Sequence, residues 1–360
     1  MLYHYRICSM IIIKIFFFCC ILIFIYSCGH DENENGYPVK SKTLLIYIVA
    51  GNNLINSAKE LLQDLDNYNV ITTQTNNIVI LFDDGNDTRL YNVTNKGLKC
   101  VRQYGCAISV SETFMQKVLY EVNHMFPAQE TGLVLWSHGS GWLPTGNTRS
   151  FGDDDGEAID INEIANSIKM KFDYIIFDAC YMGCIEVLTE LYKSCKYLIA
   201  SPGIVPVTGI IDKSAINEIL KNENIEARLR KICDNYTSKY GNVDPITVFN
   251  TSQMDNVIST CRNLRFDNYT IKSESIYVYK FRGYDIFYDL GNLLSIMQVP
   301  ASFLTDKFII YTSKSSKDKY IAGLSVFIPT TSNVDYINYY SITKWNLFTD
   351  WLSKFNLIQN

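Results

Sequence analysis

A thiol and an imidazole each stand at the end of an apolar run in this chain. Cys180 closes Tyr174–Ile175–Ile176–Phe177–Asp178–Ala179–Cys180, and His138 closes Gly132–Leu133–Val134–Leu135–Trp136–Ser137–His138 just before Gly139. Unbroken apolar runs of this kind mark parallel strands covered by helices on both faces. In open α/β sheets, ligands gather outside the carboxyl ends of the strands, so both residues fall where chemistry is usually done. A Cys–His pair is what thiol acyl transfer needs: the thiolate attacks, and the imidazole carries the proton. Taken singly, each has a plainer reading. A lone cysteine after a strand is usually a small buried hydrophobe, and a strand-end histidine can be satisfied by backbone. The pairing favours chemistry. Cys184 is expected to pack under the following helix, and His124, within a helix, to be structural.

The elements that must place these residues read as alternating strands and helices. A first strand covers 43–50 and is followed by Gly51–Asn52–Asn53–Leu54, a helix over 56–67 and a strand at 77–82. Two short runs around Leu90 and Leu98, with Asn-Lys-Gly between them, read as a hairpin. A helix over 111–125 has Ser111 as its cap and Phe114, Val118, Leu119 and Val122 on one face. After the His138 strand come a helix at 161–170, the Cys180 strand, a helix over 184–192 and a strand at 197–201. The pattern predicts an α/β fold with a mostly parallel sheet flanked by helices. Residues 212–240 read as two helices and 245–250 as a strand. From about 267 the pattern shifts to short aromatic strands (276–281, 284–288, 322–327) and a terminal helix at 345–355.

The chain has 360 residues, 48% of them hydrophobic, enough for a large core. Its net charge of −5 argues against a nucleic-acid surface and tolerates a cationic substrate. Gly139-x-Gly141 lacks the lysine of a phosphate loop, and Gly51–Asn52–Asn53 supplies no glycine-rich nucleotide turn. At the N-terminus, Arg6 and Lys14 precede a 12-residue apolar run over 15–26. That is signal-peptide length and short of the roughly 20 residues of a spanning helix. Ile25–Tyr26–Ser27–Cys28 resembles the lipobox of bacterial lipoproteins, although Tyr26 is bulkier than the usual residue there. The resemblance implies a signal peptide over 1–27, a lipid on Cys28, and export to the bacterial cell envelope, lipid-anchored or secreted. Residues 28–41 then read as a lipidated, polar tether. Seven cysteines remain beyond it. Their odd number leaves at least one free thiol, and Cys100 and Cys106 are the pair that spacing offers for a disulfide. Neither CxxC pairs nor clustered histidines suggest zinc.

The motifs WSHGSGW and FDACYMG, with the opening IYIVAGNNL, resemble the clostripain-like (C11) cysteine peptidases of the caspase-like clan CD. The His-before-Cys order and the spacing are close to the roughly 50-residue gap of caspases. The similarity continues through 288–292 (YDLGN) and 323–329 (GLSVFIP), covering most of 43–355. It implies a caspase-like three-layer sandwich over 42–265 with a small α+β C-terminal subdomain over 266–360. It implies Cys180 as nucleophile and His138 as general acid/base of a dyad. The backbone N–H groups of Gly139 and Cys180 would form the oxyanion hole. Asp178 matches the acid that lines the S1 pocket and selects Arg or Lys at P1, so the expected partners are proteins or peptides cut after a basic residue. The competing role for Asp178 is to accept backbone N–H groups.

Relatives are often processed in the loop after the histidine. Here its one basic residue is Arg149, which places an expected self-cleavage at Arg149–Ser150. No cofactor is required; Asp153, Asp154 and Asp155 offer oxygen ligands for calcium, used by some relatives, but lack EF-hand spacing and read first as a solvated loop. Two alternatives stand beside an exported Arg/Lys-specific endopeptidase. One is a caspase-clan peptidase with a non-basic P1 preference. The other is a binding lipoprotein on a degenerate peptidase fold, against which the intact Cys180 and His138 argue.

Overall fold

Side-chain alternation along the strands fixes the architecture. In strand β1 (Lys40–Val49), Leu45, Tyr47 and Val49 enter one buried cluster and Leu44, Ile46 and Ile48 enter another. Successive residues of a strand point to opposite faces, so both faces of this strand are covered. The computed structural model describes residues 36–66, 74–143, 150–154, 156–266, 275–313, 321–330 and 335–355. The expected signal segment, Cys28, most of the tether, Arg149 and Asp155 lie outside the described residues. Among the described residues, no helix is long and apolar enough to cross a membrane.

After β1 come α1 (Ile55–Asp66), β2 (Asn76–Asp83), β3 (Thr88–Thr94), β4 (Gly97–Gly105), α2 (Glu112–Met125) and β5 (Ala128–Trp136). Then follow β6 (Phe151–Asp154), β7 (Glu157–Ile159), α3 (Ile161–Ser167), β8 (Phe172–Asp178), α4 (Ile185–Leu191) and β9 (Cys195–Ala200). The next elements are α5 (Lys213–Leu220), α6 (Ile225–Tyr240), β10 (Thr247–Asn250) and α7 (Met254–Asn263). The last third holds β11 (Val278–Phe281), β12 (Tyr284–Asp289), α8 (Leu290–Ile296), α9 (Ser302–Thr305) and β13 (Ile309–Thr312). It ends with β14 (Ser325–Val326), α10 (Ile337–Tyr340) and α11 (Lys344–Thr349).

Among the described residues nine strands form one sheet in the order β13-β10-β9-β8-β5-β1-β2-β3-β4. The pairings from β9 through β8, β5 and β1 to β2 are parallel. Antiparallel strands extend both edges. Helices α1, α5 and α6 cover one face through residues such as Leu65, Ile216 and Ile232. Helices α2, α3, α4 and α7 cover the other through Val118, Ile164, Leu188 and Val257. This is a three-layer α/β sandwich. Each fully buried Leu or Ile contributes about 1.5–3 kcal/mol, so the two covered faces dominate the stability.

The hairpin and the Ser111 cap form where their residues predict: Ser111 Oγ accepts from Phe114 N. Helix α3 is shorter than its pattern, ending at Ser167, whose hydroxyl bonds back to Glu163 and Ile164 carbonyls. The terminal helix is also interrupted, because Asp350 adopts a left-handed φ of 52° and a 3₁₀ turn follows at Leu352–Lys354. Cys100 and Cys106 are both free and exposed, so the disulfide that their spacing offers is not formed.

Strands β11, β12 and β14 make a separate antiparallel sheet, while β13 of the same region joins the large sheet. Asp289, fully buried, ties this part together. It accepts hydrogen bonds from Ala322 N, Gly323 N, Asn292 N and Tyr279 Oη. The resembling segments 288–292 and 323–329 therefore meet at one carboxylate.

Candidate active site

Strands β5 and β8 run parallel and pair Trp136 with Asp178. His138 and Cys180 each lie two residues beyond that pair, at the same level of the same rim. Ser137 N bonds across to Asp178 O, 3.4 Å away. Gly139 presses directly on the Cys180 backbone: a Cβ on it would sit 2.4 Å from the Cys180 carbonyl oxygen. Only glycine fits there without moving the nucleophile.

The thiol is half-buried and faces Val205, whose N–H donates to Sγ at 3.3 Å and whose carbonyl lies 3.7 Å from it. Burial pushes the thiol up from its ordinary range. The Val205 N–H opposes that shift, and the carboxylates of Asp178 and Asp244 add to it. His138 is half-buried, and burial lowers its pKa; Asp153 counteracts this and Arg282 reinforces it. Both shifts favour the neutral form, of the thiol and of the imidazole alike. No hydrogen bond joins them. Such bonds are often loose in free enzymes and tighten with substrate bound.

The imidazole has another partner, which the sequence reading missed. His138 Nε2 lies 2.7 Å from Asn53 Oδ1. A carboxamide oxygen only accepts, so Nε2 carries the proton and Nδ1 keeps the lone pair. Asn53 follows β1, which is the sheet neighbour of β5. Its companion Asn52 fixes that turn, accepting from Leu54 N at 2.8 Å and donating to Asp153 O at 2.6 Å. The signal was present as a third strand ending in polar residues. What the sequence lacked was the strand order that sets β1 beside β5.

The backbone N–H groups of Gly139 and Cys180 belong to these same two loops. The segment after His138 pairs with β6 through Gly152 N to His138 O and Ser140 N to Ser150 O, both 3.0 Å. That pattern leaves the Gly139 N–H unused. Among the described residues, neither Gly139 N nor Cys180 N donates to backbone. Ser150, on the far side of the expected scissile bond, is buried, and among the described residues its hydroxyl has no partner. Arg149 lies outside the described residues.

Asp178 sits just behind the nucleophile and is 3% exposed. Its two oxygens accept from Ile210 N and Ile211 N, each at 2.8 Å. Burial raises its carboxyl to about 6, against those two N–H groups. Asp153 Oδ1 accepts from Gly156 N, and Asp154 Oδ2 accepts from Ser109 N. Asp155 lies outside the described residues. Among the described residues no three acidic, histidine or cysteine side chains gather as metal ligands. One carboxylate oxygen on each of the two described acids of the run thus accepts from a backbone N–H.

The late part of the chain supports the Cys180 loop. Tyr181, at a left-handed φ of 61°, stacks on Phe287 with centroids 5.0 Å apart and donates to Lys280 O at 2.6 Å. Ser325 N donates to Gly183 O at 3.0 Å. Below, Glu186 is buried and accepts from Phe327 N and Tyr340 Oη.

Comparison with known proteins places this site in a family. Residues 46–348 match the model of the clostripain family of C11 peptidases. A search of curated proteins by sequence found no match. Among solved structures, a secreted C11 cysteine protease from Bacteroides thetaiotaomicron, bound to an irreversible peptide inhibitor, is similar. It has a TM-score of 0.74 and 23% identity over 87% of this chain and 99% of that one. An inactive zymogen C11 protease from Parabacteroides distasonis is similar too, with a TM-score of 0.72 and 22% identity over 87% of this chain and 99% of that one. These likenesses carry the fold, and the family match carries the chemistry. Because that match spans most of its length, the chain belongs to the clostripain family and is a C11 cysteine protease.

Proposed function

We propose that the protein is an exported, lipid-anchored endopeptidase that cuts after Arg or Lys through Cys180 and His138. The observation that supports it most is the shared level of the two residues beyond the Trp136–Asp178 pair, with two unused N–H groups beside them. The thiol proton passes to Nδ1 of His138 as Sγ attacks the scissile carbonyl carbon. The resulting oxyanion is held by Gly139 N–H and Cys180 N–H, a stabilisation worth about 10²–10³ in rate per donor. Collapse of the intermediate breaks the C–N bond, and the imidazolium gives its proton to the leaving amine. Water then hydrolyses the thioester with His138 as base. Asn53 keeps the imidazole in the tautomer that this sequence requires.

Activation by cleavage at Arg149–Ser150 fits the position of Ser150, held beside His138 by the Ser140 N–H. A similar protein from P. distasonis is described as an inactive zymogen, which supports a latent form here. A non-basic P1 preference is the second reading, favoured by the engagement of both Asp178 oxygens with backbone. The test measures turnover of matched Arg, Lys and Asp P1 peptides by wild type and Cys180→Ala, with a gel of each. Arg or Lys turnover with a chain break near 149, both absent in the variant, supports the proposal. Turnover of Asp alone would sink the basic preference.

A further inference from the structure

The hairpin of β11 and β12 turns on a residue poorly suited to the turn. Phe281 pairs with Tyr284, so the loop is only Arg282–Gly283, and both residues have positive φ, 49° and 88°. Two-residue turns of this kind need left-handed backbone at both positions and favour Asn-Gly. A long side chain at the first position is strained, and such strain clusters at functional sites. We propose that Arg282 receives an acidic side chain of the substrate, on the leaving-group side of the scissile bond. The proposal rests on the Cys180–His138 endopeptidase reading above and adds a subsite to it.

Ring contacts bring the turn to both reactive loops. Phe281 stands edge-on to Tyr181, the residue after the nucleophile, with centroids 5.0 Å apart, and Tyr181 Oη donates to the neighbouring Lys280 O. Phe287, on the other strand of the hairpin, stacks on Tyr181 and also abuts the histidine loop: a Cβ on Gly141 would meet its ring at 2.9 Å. The Arg282 guanidinium lies over the Phe281 ring, 5.4 Å from its centroid. The cation is thus carried on the ring that touches Tyr181. Its charge acts on both the imidazole of His138 and the phenol of Tyr181, pulling each pKa downward. His138 hands its proton to the leaving amine, so the residues that follow the cut pass beside the imidazole and come within the field of this cation.

The charge is uncommitted. Arg282 is exposed, and among the described residues no carboxylate pairs with it. Lys280, the other cation of the hairpin, is already paired with Asp285. Stability alone would be better served by another residue, since glycine or asparagine relaxes a left-handed turn and a cation over an exposed ring contributes little. What arginine adds is a planar fork of donors that a carboxylate matches with two bonds. An aspartate or glutamate of the substrate supplies that carboxylate.

The test uses amidated peptides with a basic P1 residue and Asp or Asn placed in turn at P3, P2, P1′, P2′ and P3′. The readout is the Asp/Asn ratio of kcat/KM at each position. Wild type should prefer Asp about fivefold at a primed position in low salt and less in high salt, as for an exposed ion pair. Arg282→Gln should bring that ratio to about one, and Arg282→Lys should keep most of it. Arg282→Glu should invert it, favouring Lys over Asn at the same position, a result that misfolding cannot produce. Arg282→Gly should lose the preference yet melt no earlier than wild type, because glycine relaxes the turn. A ratio of one at every primed position in wild type, or a preference that survives Arg282→Gln, would overturn the proposal. So would a preference confined to P2 or P3, which would put the cation on the acyl side. If wild type cleaves none of the peptides, the basic-P1 endopeptidase reading fails first and this proposal falls with it.

Discussion

The two loops that carry the reactive groups are built differently. The Cys180 loop is fixed from all sides: Tyr181 N donates to Gly203 O, Gly183 N to Ser201 O, and Ser325 N to Gly183 O. Met182 and Cys184 beneath it are fully buried. The His138 loop is held by a short ladder to β6, by the bond to Asn53, by Ser137 Oγ donating to Val49 O, and by Trp142 packed on Phe327 and Tyr340, and the imidazole is half-exposed. One end of that ladder is Ser150, next to the expected cut. Both loops are thus set by tertiary contacts, but only the base's loop is also tied to the strand that begins beside the expected cut.

Gly139→Ala is the severest way to break this contrast, because it joins the two loops. The new methyl meets the Cys180 carbonyl, a backbone atom that cannot step aside. A fall of about 10²–10³ in kcat is expected, measured on active-site-titrated enzyme. Near-normal kcat would remove Gly139 from the oxyanion hole.

Asn53→Ala tests the histidine side alone. It should lower kcat about 10- to 100-fold with KM little changed, since the imidazole loses its orientation but the substrate loses no contact. Asn53→Asp sharpens the result. A carboxylate favours the imidazolium, so the acid limb of the kcat/KM profile, now below 6.5 because burial lowers the His138 pKa, should move upward. The imidazole must be neutral to accept the thiol proton, so activity is lost as pH falls through that value. An unmoved limb in Asn53→Asp would make Asn53 a bystander.

Glu186→Gln probes the cysteine side and should be mildest. Burial raises the Glu186 carboxyl from 4.5 to about 7. A group with a raised folded pKa stabilises fully below its unfolded value and loses that contribution as pH rises through the folded value. Wild type should therefore lose roughly 1–3 kcal/mol between about pH 4.5 and 7 on this account, and the Gln variant should show a flatter Tm profile. Parallel profiles would show that Glu186 does not titrate there.

The parts legible in the sequence were those with local causes. The apolar runs ending in His138 and Cys180, the Ser111 cap and the hairpin near Asn95 each follow from neighbouring residues. The bond between His138 and Asn53 was not legible. It depends on which strand lies next to which, and that is decided by packing. Asp178 shows the same limit. Its position behind the nucleophile was readable, but the destination of its oxygens was set by the segment 209–211, far along the chain.

Tyr181 has one more implication, and it concerns timing. A bulky residue in a left-handed conformation directly after the nucleophile is strained by itself. It is held by Phe287 and the Lys280 carbonyl, while Ser325 secures the neighbouring Gly183. A ribosome delivers a chain amino end first, at about 5–20 residues per second, so the thiol exists for many seconds before these supports are synthesised. During that interval the loop has its bonds to Ser201 and Gly203 but lacks the ring and the carbonyl that hold Tyr181 in its left-handed shape. The order of the elements along the gene thus gives the producing cell a first period of safety, ahead of any proteolytic activation.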